Sequence, residues 1–580
     1  MTPEAMDIEC GDVSPYQCKE SRYRAFNGSC NNLLHPTWGM PYTRSKRILH
    51  AAYADGIRTP RLSLSGKPLP LPRVVSFKLF PNVSMHDKQF TLVTMQYGQV
   101  IAEDITLVDR PKSSPANQCC SIERKLDKDY LKKPLCYPFL IPKDDPDYKN
   151  SGVECIERFI RTTTDLDRGC SIRKGAVTQL ALITHTLDLS PVYGFNDKAA
   201  ASVRELKGGR LRVERRNNHD WPPIIREQYF SCNGTINTCY RLGDARVNQN
   251  ADLAIMLIIL MREHNRIADC IAKLNSDWPD EKIFHEARRI LIALYQSISY
   301  NEWLPLILGR ENCYKNKLIY ETKEYVNDYD PSVDPTITNE FAAAAFRSFH
   351  STIAGNLKRY NEDRQFAYSS SRFGEHFFNQ TVIENCDNFD GLLRGLCTQP
   401  QEAADKYYDK EITVFMSGIT PTTGMDLRGF DIHRGRDHGL RPYIDYRIHC
   451  GLSKDVKKLS ELYETPADVD LTVGASLEKN IPDSMAGPTF HCLLTKQFLN
   501  TRIGDRFWFE NGKSGTPFTL IQLNEIRKAS ISRLICDNAN DIKSMQLKGF
   551  ELISKKNPLL DCQDIPSIDL SLWKESASKK

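Results

Sequence analysis

Three histidines stand in sequence contexts where an imidazole could bind a metal or move a proton. His264 lies in Arg-Glu-His-Asn-Arg, His350 in Phe-Arg-Ser-Phe-His, and His438 in Arg-Asp-His-Gly. Taken singly, such histidines are more often structural than ligands. His350 differs because four consecutive alanines precede it by a few residues, and small residues let a flat macrocycle approach the backbone. Neutral imidazole is a common axial ligand of haem iron, but tight helix packing explains the same alanines, so both interpretations stay open.

An oxygen-rich stretch offers a second kind of chemistry. Residues 184–190 read Thr-His-Thr-Leu-Asp-Leu-Ser, with a side-chain oxygen at every second position. Calcium takes six to eight oxygen ligands, including carboxylates, hydroxyls and backbone carbonyls. Ordinary turns use the same residues at the same spacing, so the stretch alone does not decide for a cation.

Other catalytic signatures are absent from the sequence. It contains no G-x-S-x-G elbow, no complete Walker A loop, no H-E-x-x-H and no G-x-G-x-x-G after a strand. Their absence excludes the commonest hydrolases, nucleotidases and dehydrogenases.

The composition is that of an ordinary globular protein. The 580 residues include 77 basic and 73 acidic side chains, a net charge of +4, with 41% hydrophobic and 26% charged residues. No strong basic stripe is visible, so nucleic acid is not expected as a partner. The longest apolar run, residues 253–261, has nine residues, well short of the roughly 20 needed to span a bilayer.

The cysteines and glycosylation sequons favour an extracellular location. Eighteen cysteines are spread along the chain without a zinc-type spacing. Four N-x-[ST] acceptors accompany them, at Asn27, Asn82, Asn233 and Asn379. Together they predict a secreted protein with disulfides, although a signal peptide is not visible in the polar N-terminal residues. The alternative is a cytosolic protein with scattered thiols.

The elements that position these residues are predicted to be mainly helical. Residues 1–85 are interpreted as an extended, disulfide-pinned N-terminal arm, and residues 86–580 as one large helical domain with little β structure. Helices are predicted over four segments with helical apolar spacing, the third with Thr338 as its N-cap: Asp252–Asn275, Lys282–Tyr300, Thr338–Leu357 and Leu520–Ser530.

Ordered motifs along almost the whole chain resemble the animal haem peroxidases of the peroxidase–cyclooxygenase superfamily, most of all the secreted arthropod peroxidases of the peroxinectin and chorion peroxidase kind. The match runs from about Tyr23 to Trp573. The motifs are Tyr23-Arg-Ala-Phe-Asn-Gly-Ser-Cys-Asn-Asn-Leu, Tyr53-Ala-Asp-Gly, Gln96-Tyr-Gly-Gln, Asp188-Leu-Ser-Pro-Val-Tyr-Gly, Gly243-Asp-Ala-Arg, Arg262-Glu-His-Asn-Arg, Phe346-Arg-Ser-Phe-His, Arg434-Gly-Arg-Asp-His-Gly and Gly504-Asp-Arg-Phe-Trp. The resemblance implies a large helical fold. It also implies that the protein oxidises small donors with hydrogen peroxide at a haem.

The resemblance also implies roles for individual residues. His350 corresponds to the proximal iron ligand and Arg447 to an arginine that pairs with a haem propionate. Arg246 and Gln99 correspond to the distal arginine and glutamine on the side where peroxide is cleaved. The family's calcium site falls on the side chains of Asp104, Thr184, Asp188 and Ser190, and on the carbonyl of Thr186.

The chain departs from the family pattern at four positions around the haem. The family's distal motif is Gly-Gln-x-x-Asp-His-Asp, whereas residues 98–104 read Gly-Gln-Val-Ile-Ala-Glu-Asp, so Glu103 replaces the catalytic histidine. Ala102 and Gln249 replace the two carboxylates that form haem esters in many relatives. Ile444 replaces the asparagine that accepts a hydrogen bond from the proximal imidazole.

These departures predict weakened chemistry. Loss of a positioned acid–base group typically costs about 10²–10⁴-fold in rate. Beside Arg246, Glu103 is expected to form an ion pair that lowers its pKa and makes it a poor acid. Without ester carboxylates, any haem b is bound non-covalently, and with Ile444 the control of iron basicity by the proximal hydrogen bond is expected to be lost.

Two hypotheses therefore compete. The first is a secreted peroxidase homologue with impaired or lost turnover, with or without haem, that binds calcium and is a candidate to bind an extracellular protein partner. The second is an active peroxidase, using hydrogen peroxide and a small donor, in which Glu103 and Arg246 form the distal acid–base pair. Integrin-type adhesion gains little support, because residues 434–437 read Arg-Gly-Arg-Asp and contain no Arg-Gly-Asp. By resemblance, the disulfides Cys536–Cys562 and Cys450–Cys492 are expected.

Overall fold

The fold is taken from a computed structural model of the chain. It describes residues 10, 16–108, 119–121, 123–126, 129, 132–133, 135–156, 161–170, 175–225, 239–365, 367–378, 380, 382–385, 387–454 and 462–575. Within these ranges, every helix is too short or too polar to cross a membrane. The sequons at Asn233 and Asn379 lie outside the described residues, whereas Asn82 is exposed and Asn27 is partly exposed.

Helices dominate the described chain, as the sequence predicts. Their bounds are α1 Pro72–Leu79, α2 Leu92–Ile105, α3 Ser190–Tyr193, α4 Asp197–Val203, α5 Ala251–Leu274, α6 Asp280–Ser297, α7 Leu304–Leu308, α8 Arg310–Lys315, α9 Asn339–Ala343, α10 Asn388–Thr398, α11 Lys410–Thr413, α12 Leu427–Asp437, α13 Tyr443–His449, α14 Leu471–Ser476, α15 Pro488–Ile503, α16 Leu520–Ile526 and α17 Ile531–Asn538. A π-helix, Ile298–Trp303, follows α6, and short 3₁₀ helices include Ala245–Asn248 and Ala345–Thr352.

The strands form small two-stranded antiparallel ribbons. They are β1 His86–Thr91, β2 Phe139–Leu140, β3 Cys155–Ile156, β4 Glu214–Arg216, β5 His219–Trp221, β6 Asn356–Tyr360, β7 Ala367–Arg372, β8 Pro400–Glu402, β9 Ser544–Gln546 and β10 Leu559–Asp561. The pairs are β1 with β8, β2 with β3, β4 with β5, β6 with β7, and β9 with β10. Because the strands of the described residues are short and form only two-stranded sheets, the mainly α prediction is confirmed.

The core is built around α5 and α6, which pack against each other. The first eleven residues of α5 are all buried, because its N-terminal half is apolar on every face. Asn250 caps this helix by accepting a hydrogen bond from the Leu253 N–H at 2.8 Å. Both helices predicted here are confirmed, with ends shifted by one to three residues.

The predicted helix over Thr338–Leu357 is wrong beyond its first turns. Thr338 does cap α9, with its side chain accepting from the Phe341 N–H. Ala344 then leaves helical geometry, at φ −137° and ψ −68°, and the chain continues as a 3₁₀ helix that carries His350 and ends at Thr352. A Cβ on Gly355 would lie 2.2 Å from a carboxylate oxygen of Asp409, so only glycine fits where the chain turns into β6.

The helix predicted over Leu520–Ser530 ends early, at Ile526. The reason is a second N-cap: Ser530 accepts from the Arg533 N–H and begins α17. Two short helices therefore replace one.

The N-terminal residues lie against the rest of the chain and are fixed by covalent and ionic links. Disulfides join Cys10 to Cys170 and Cys18 to Cys30. The Arg24 guanidinium donates to both carboxylate oxygens of Asp505, at 2.8 and 2.5 Å. Two widely separated sequence motifs thus meet in space.

Further disulfides staple other parts of the scaffold. Both pairs expected from the resemblance, Cys536–Cys562 and Cys450–Cys492, are confirmed. The structure adds Cys119–Cys136 and Cys120–Cys155.

Candidate active site

Helix α2 carries two of the predicted distal residues on one face. Gln99 and Glu103 are four residues apart, so they lie one turn above each other, and both are partly exposed. Asp104 is the next residue along the helix and is fully buried. Neighbouring positions of the helix therefore carry a partly exposed carboxylate and a fully buried one.

The Gln99 side chain is held by a hydrogen-bond network. Its amide donates to the Gln249 carbonyl at 2.6 Å, and its carbonyl accepts from Asn250 at 3.2 Å and Gln96 at 3.0 Å. Gln249, one of the two positions where relatives carry an ester-forming carboxylate, therefore lies in the distal cleft as an amide.

Arg246 projects from the 3₁₀ helix Ala245–Asn248 and is fully engaged. Its Nε and Nη2 donate to Asp244 at 2.9 and 2.7 Å. Its Nη1 donates to the Thr106 carbonyl at 2.8 Å, and Nη2 also donates to the Glu103 carbonyl at 2.7 Å. The Glu103 carboxylate forms an ion pair with Nη1. The guanidinium therefore makes four hydrogen bonds to the protein and an ion pair with the Glu103 carboxylate.

The predicted ion pair between Glu103 and Arg246 is present, but the expected direction of the pKa shift is wrong. Burial raises the pKa of Glu103 and outweighs the attraction of Arg246, while the nearby charge of Asp244 raises it further. The pKa of Arg246 is raised, since the attraction of Asp244 and Glu103 exceeds the effect of burial. An ion pair inside a protein does not by itself guarantee a low carboxyl pKa.

His350 faces the cleft with a side chain 21% exposed, and its ring has a partner that the sequence analysis missed. The Nδ1–H donates to the Asp431 carboxylate at 2.6 Å. Asp431 is buried on α12, and attraction from His350, Arg347 and Arg434 lowers its pKa even though burial opposes this. The expectation that Ile444 abolishes proximal hydrogen bonding is therefore wrong: another helix supplies the acceptor.

The other two histidines are structural. His264 is buried, with Nδ1 on the Tyr193 hydroxyl at 2.8 Å and Nε2 on the Gly209 carbonyl at 2.9 Å. Burial lowers its pKa to about 3. His438 is buried as well, with Nδ1 on Asn339 at 2.8 Å.

Arg447, the predicted propionate partner, has protein partners. Its Nη1 lies 2.6 Å from the Glu478 carboxylate and donates to the Tyr443 hydroxyl at 3.2 Å. Its Nε donates to the Ser453 carbonyl at 2.7 Å. Glu478 also accepts from Thr489, so this carboxylate is integrated into the scaffold. Propionate binding by Arg447 stays a prediction.

The predicted calcium ligands converge in a buried cluster between the end of α2 and the start of α3. The Thr184 hydroxyl donates to Asp188 at 2.9 Å, and the Ser190 hydroxyl donates to Asp104 at 3.0 Å. The Thr186 hydroxyl lies 3.4 Å from Asp188. All five side chains are at most 4% exposed.

The two carboxylates of this cluster are buried close together, and burial opposes their ionisation. Burial and the proximity of Asp188 raise the pKa of Asp104 well above its usual range. Burial also raises the pKa of Asp188, although Arg288 and Arg24 attract it. No group of three or more His, Cys, Asp or Glu able to hold a metal occurs in the described ranges, so a cation here would depend on hydroxyl and carbonyl oxygens besides the two carboxylates.

The residues around the cleft fit a haem. The side chains of Glu103, Arg246 and His350 are mostly buried, with 12%, 24% and 21% of their surface exposed to solvent. The buried guanidinium of Arg347 interacts electrostatically with both Glu103, on the predicted distal side, and Asp431, the partner of His350. The Nε2 of His350 has no hydrogen-bond partner among the described residues. A separate pocket is lined by residues 21–24, part of α6 and residues between 507 and 518, and it contains none of these groups. Two of its four arginines, Arg22 and Arg24, are ion-paired with Glu286 and Asp505.

Comparison with known proteins decides the family. The family model for the animal haem peroxidases matches residues 23–550. The chain belongs to the animal haem peroxidase family. It is 44% identical to a peroxidase of Drosophila melanogaster, over 98% of this chain and 85% of that protein. It is 34% identical to the chorion peroxidase of the same species, over 97% of this chain and 72% of the relative.

Solved structures agree on the fold. Peroxidase A from Dictyostelium discoideum superposes on this chain with a TM-score of 0.75 at 23% identity. The superposition covers 91% of this chain and 99% of the Dictyostelium chain. A fatty acid alpha-dioxygenase from Oryza sativa superposes with a TM-score of 0.70 at 16% identity, covering 95% of this chain and 92% of the other.

Three carboxylates at the site escaped the sequence analysis: Asp431, Asp244 and Glu478. Asp431 and Asp244 lie within or next to family motifs used for the resemblance. An acidic residue close in sequence to a motif arginine or histidine could have indicated these contacts. The sequence does not show, however, which acidic side chain pairs with which basic one.

Proposed function

We propose that this protein is a secreted, calcium-binding animal haem peroxidase homologue that holds haem b non-covalently through His350 and in which peroxide cleavage is impaired. When bound, haem supplies redox chemistry with hydrogen peroxide and a small donor. His350 would hold the iron from the proximal side, and Gln99, Glu103 and Arg246 would line the distal side.

The mutual engagement of Glu103 and Arg246 carries this proposal. A distal base must be able to take a proton from peroxide, and a distal arginine must have N–H groups directed at developing negative charge. Here the carboxylate is paired with the guanidinium, and the remaining N–H groups bind Asp244 and two carbonyls. Each group that should act on peroxide instead neutralises or orients its neighbour.

Secretion and calcium binding have separate support. Six disulfides occur among the described residues, which suits an oxidising compartment. Calcium is supported by two buried carboxylates that share one cluster with hydroxyl groups, since a divalent cation would balance their charge.

The test restores the family's residue at position 103. The purified chain is titrated with haem and then mixed with hydrogen peroxide, and the shift of the Soret band is followed by stopped flow. We expect Glu103→His to react about 10²–10⁴-fold faster than the wild type, because the imidazole supplies the missing acid–base group. Glu103→Gln, a neutral side chain of nearly the same shape, should stay as slow as the wild type.

The opposite pattern would support an active peroxidase with a carboxylate-based distal side. In that case the wild type reacts as fast as Glu103→His, and Glu103→Gln and Glu103→Ala lose the reaction. His350→Ala tests the haem assignment independently, because removal of the proximal ligand should abolish the Soret band of the reconstituted protein.

A further inference from the structure

A pocket beside helix α6 carries positive charge on its walls. It encloses about 570 Å³, including the space where it opens to solvent, and is lined by residues 21–24, part of α6 and residues between 507 and 518. Its lining contains four arginines and no aspartate or glutamate. Ligand pockets of this size usually combine apolar walls with a few charged groups that fix the ligand. The arginines therefore indicate an anionic ligand.

Two of the four arginines are neutralised by carboxylates of the protein. Arg24 donates to both carboxylate oxygens of Asp505, at 2.8 and 2.5 Å. Arg22 forms an ion pair with Glu286, and the same Glu286 oxygen accepts from the Tyr23 hydroxyl at 2.8 Å. These contacts leave little of the charge of Arg22 and Arg24 for a ligand.

The other two arginines, Arg288 and Arg289, have weaker partners. Arg288 is 3% exposed and makes no ion pair within the described ranges. Its Nη1 donates to the Arg24 carbonyl at 2.9 Å, while its Nε has no hydrogen-bond partner there. Arg289 donates from Nη2 to the Thr516 carbonyl at 2.5 Å, and its Nη1 lies 3.6 Å from Glu286, a carboxylate that is already paired. Four guanidinium groups therefore have two carboxylates as direct partners.

Burial makes this excess of positive charge costly. It lowers the pKa of Arg288 to about 10, although Asp188 attracts this guanidinium, and it lowers the pKa of Arg289 to about 10, although Glu286 attracts it. A buried cation is stable when an opposite charge and well-placed acceptors replace the water that it has lost. An anion in the pocket would supply that charge.

The walls of the pocket also offer apolar surface for the body of such an anion. Aromatic rings line it at Tyr23, Phe507, Trp508, Phe509 and Phe518. The Arg289 guanidinium lies 3.9 Å from the centroid of the Phe518 ring, so a cationic group and an aromatic face adjoin each other. A flat ring can pack on such faces while an attached carboxylate pairs with a guanidinium group. An inorganic anion would leave the aromatic walls in contact with water.

We propose that this pocket binds a small aromatic carboxylate, whose charge balances Arg288 and Arg289 and whose ring packs on the aromatic walls. The site goes beyond the proposed function and does not depend on it, because the lining includes none of the residues assigned to haem or calcium.

The experiment titrates the full chain, in calcium and without added haem, by isothermal titration calorimetry at low ionic strength. The probes are 2-naphthoate, its neutral isostere 2-naphthamide, and inorganic phosphate. We expect 2-naphthoate to bind at least about 10-fold more tightly than 2-naphthamide, because hydrogen bonds to a charged group contribute about 1.5–3 kcal/mol. Phosphate should also bind at least about 10-fold more weakly than 2-naphthoate, since it has no apolar surface.

Two variants and one matched control locate the binding. Arg289→Gln should weaken 2-naphthoate binding about 10-fold or more, because it removes one of the two cations that lack a full partner. Ser514→Trp should abolish binding, because a large side chain at this partly exposed position of the lining fills the pocket. Arg310→Gln changes the net charge by the same amount at an exposed position outside the pocket, and it should bind 2-naphthoate as the wild type does.

Three results would overturn the aromatic carboxylate site: no binding of 2-naphthoate, equal binding of 2-naphthoate and 2-naphthamide, or phosphate binding as tight as that of 2-naphthoate. Wild-type affinity in folded Arg289→Gln and Ser514→Trp proteins, or equal weakening in Arg289→Gln and Arg310→Gln, would also overturn it. A chain that binds 2-naphthoate but shows no Soret band on haem titration overturns the proposed function and leaves this site intact.

Discussion

At the residue scale, a buried carboxylate holds the ring of the predicted proximal histidine, since Asp431 accepts the hydrogen bond of His350 Nδ1 at 2.6 Å. Ala102, Glu103, Gln249 and Ile444 stand at family positions that local motifs identify. The hydrogen-bond partner of His350 lies 81 positions away in the chain. Such a contact depends on how α12 packs against the 3₁₀ segment, and no local pattern encodes it.

The two lost ester positions lead to a prediction at the same scale. An ester needs a carboxyl oxygen, and position 102 has a methyl group while position 249 has an amide bound to Gln99. We expect acidified butanone to extract all the haem from the reconstituted, peroxide-treated wild type, as measured by absorbance of the organic phase.

The control for haem extraction uses two variants in which the peroxide reaction is restored. Glu103→His should release its haem, and Glu103→His with Gln249→Glu should retain part of it after peroxide treatment. Haem that stays with the wild-type protein would contradict the absence of a covalent anchor.

At the element scale, the segment that carries His350 shows why helix prediction stops short of the site. Four alanines favour a continuous helix by intrinsic propensity. Tertiary packing overrides this preference: Phe341 stacks on Phe346 with ring centroids 4.7 Å apart, and the Arg347 Nε binds the Ala342 carbonyl at 2.7 Å. The resulting 3₁₀ helix has three residues per turn, which changes the direction in which His350 projects.

The junction between α2 and α3 carries the calcium prediction. We expect a chelator to lower the free energy of unfolding of the wild type by about 3 kcal/mol, relative to protein in calcium at about a hundred times its dissociation constant. The physical reason is that removal of the cation leaves Asp104 and Asp188 buried with like charges. Denaturant unfolding followed by circular dichroism measures the difference.

Two comparisons make the calcium prediction specific. Asp188→Asn should abolish the difference between calcium-loaded and chelated protein, because one of the two carboxylate ligands is gone. Magnesium should not replace calcium, since it requires near-octahedral geometry at shorter distances. Identical unfolding of the wild type with and without calcium would show that the cluster is held by hydrogen bonds alone.

At the scale of the whole molecule, the sequence predicted the mainly helical class and the location of the two longest helices. It did so because α5 begins with a long apolar run and α6 has apolar residues at helical spacing. The contacts between distant segments were not predictable, because Arg24 and Asp505, or Arg61 and Asp470, are separated by hundreds of residues. These ion pairs join the N-terminal residues to the turn that follows α15 and to the N-cap of α14.

The ion pairs of Asp470 give the molecule a defined acid sensitivity. Arg61 binds Asp470 at 2.9 Å, and Arg436 on α12, the helix that carries Asp431, binds it at 2.7 Å. Burial alone would raise the pKa of Asp470, but Arg436 and Arg61 lower it to about 2 from an ordinary value of 3.8. A lowered pKa means that the native state favours the ionised carboxylate, so the stabilisation is complete above pH 4 and is lost as the pH falls towards 2.

The size of this effect follows from the shift, because each pKa unit corresponds to about 1.4 kcal/mol, so Asp470 contributes about 2 kcal/mol. We expect the loss of unfolding free energy between pH 5 and pH 2 to be smaller by about that amount in Asp470→Asn than in the wild type. The exposed carboxylate of Asp541, whose side chain is 74% accessible, provides the matched control, and Asp541→Asn should lose as much stability as the wild type. The free energy of unfolding is measured by urea unfolding at each pH. If it falls equally with pH in the wild type and in Asp470→Asn, the link from the N-terminal residues to α12 does not depend on the charge of Asp470.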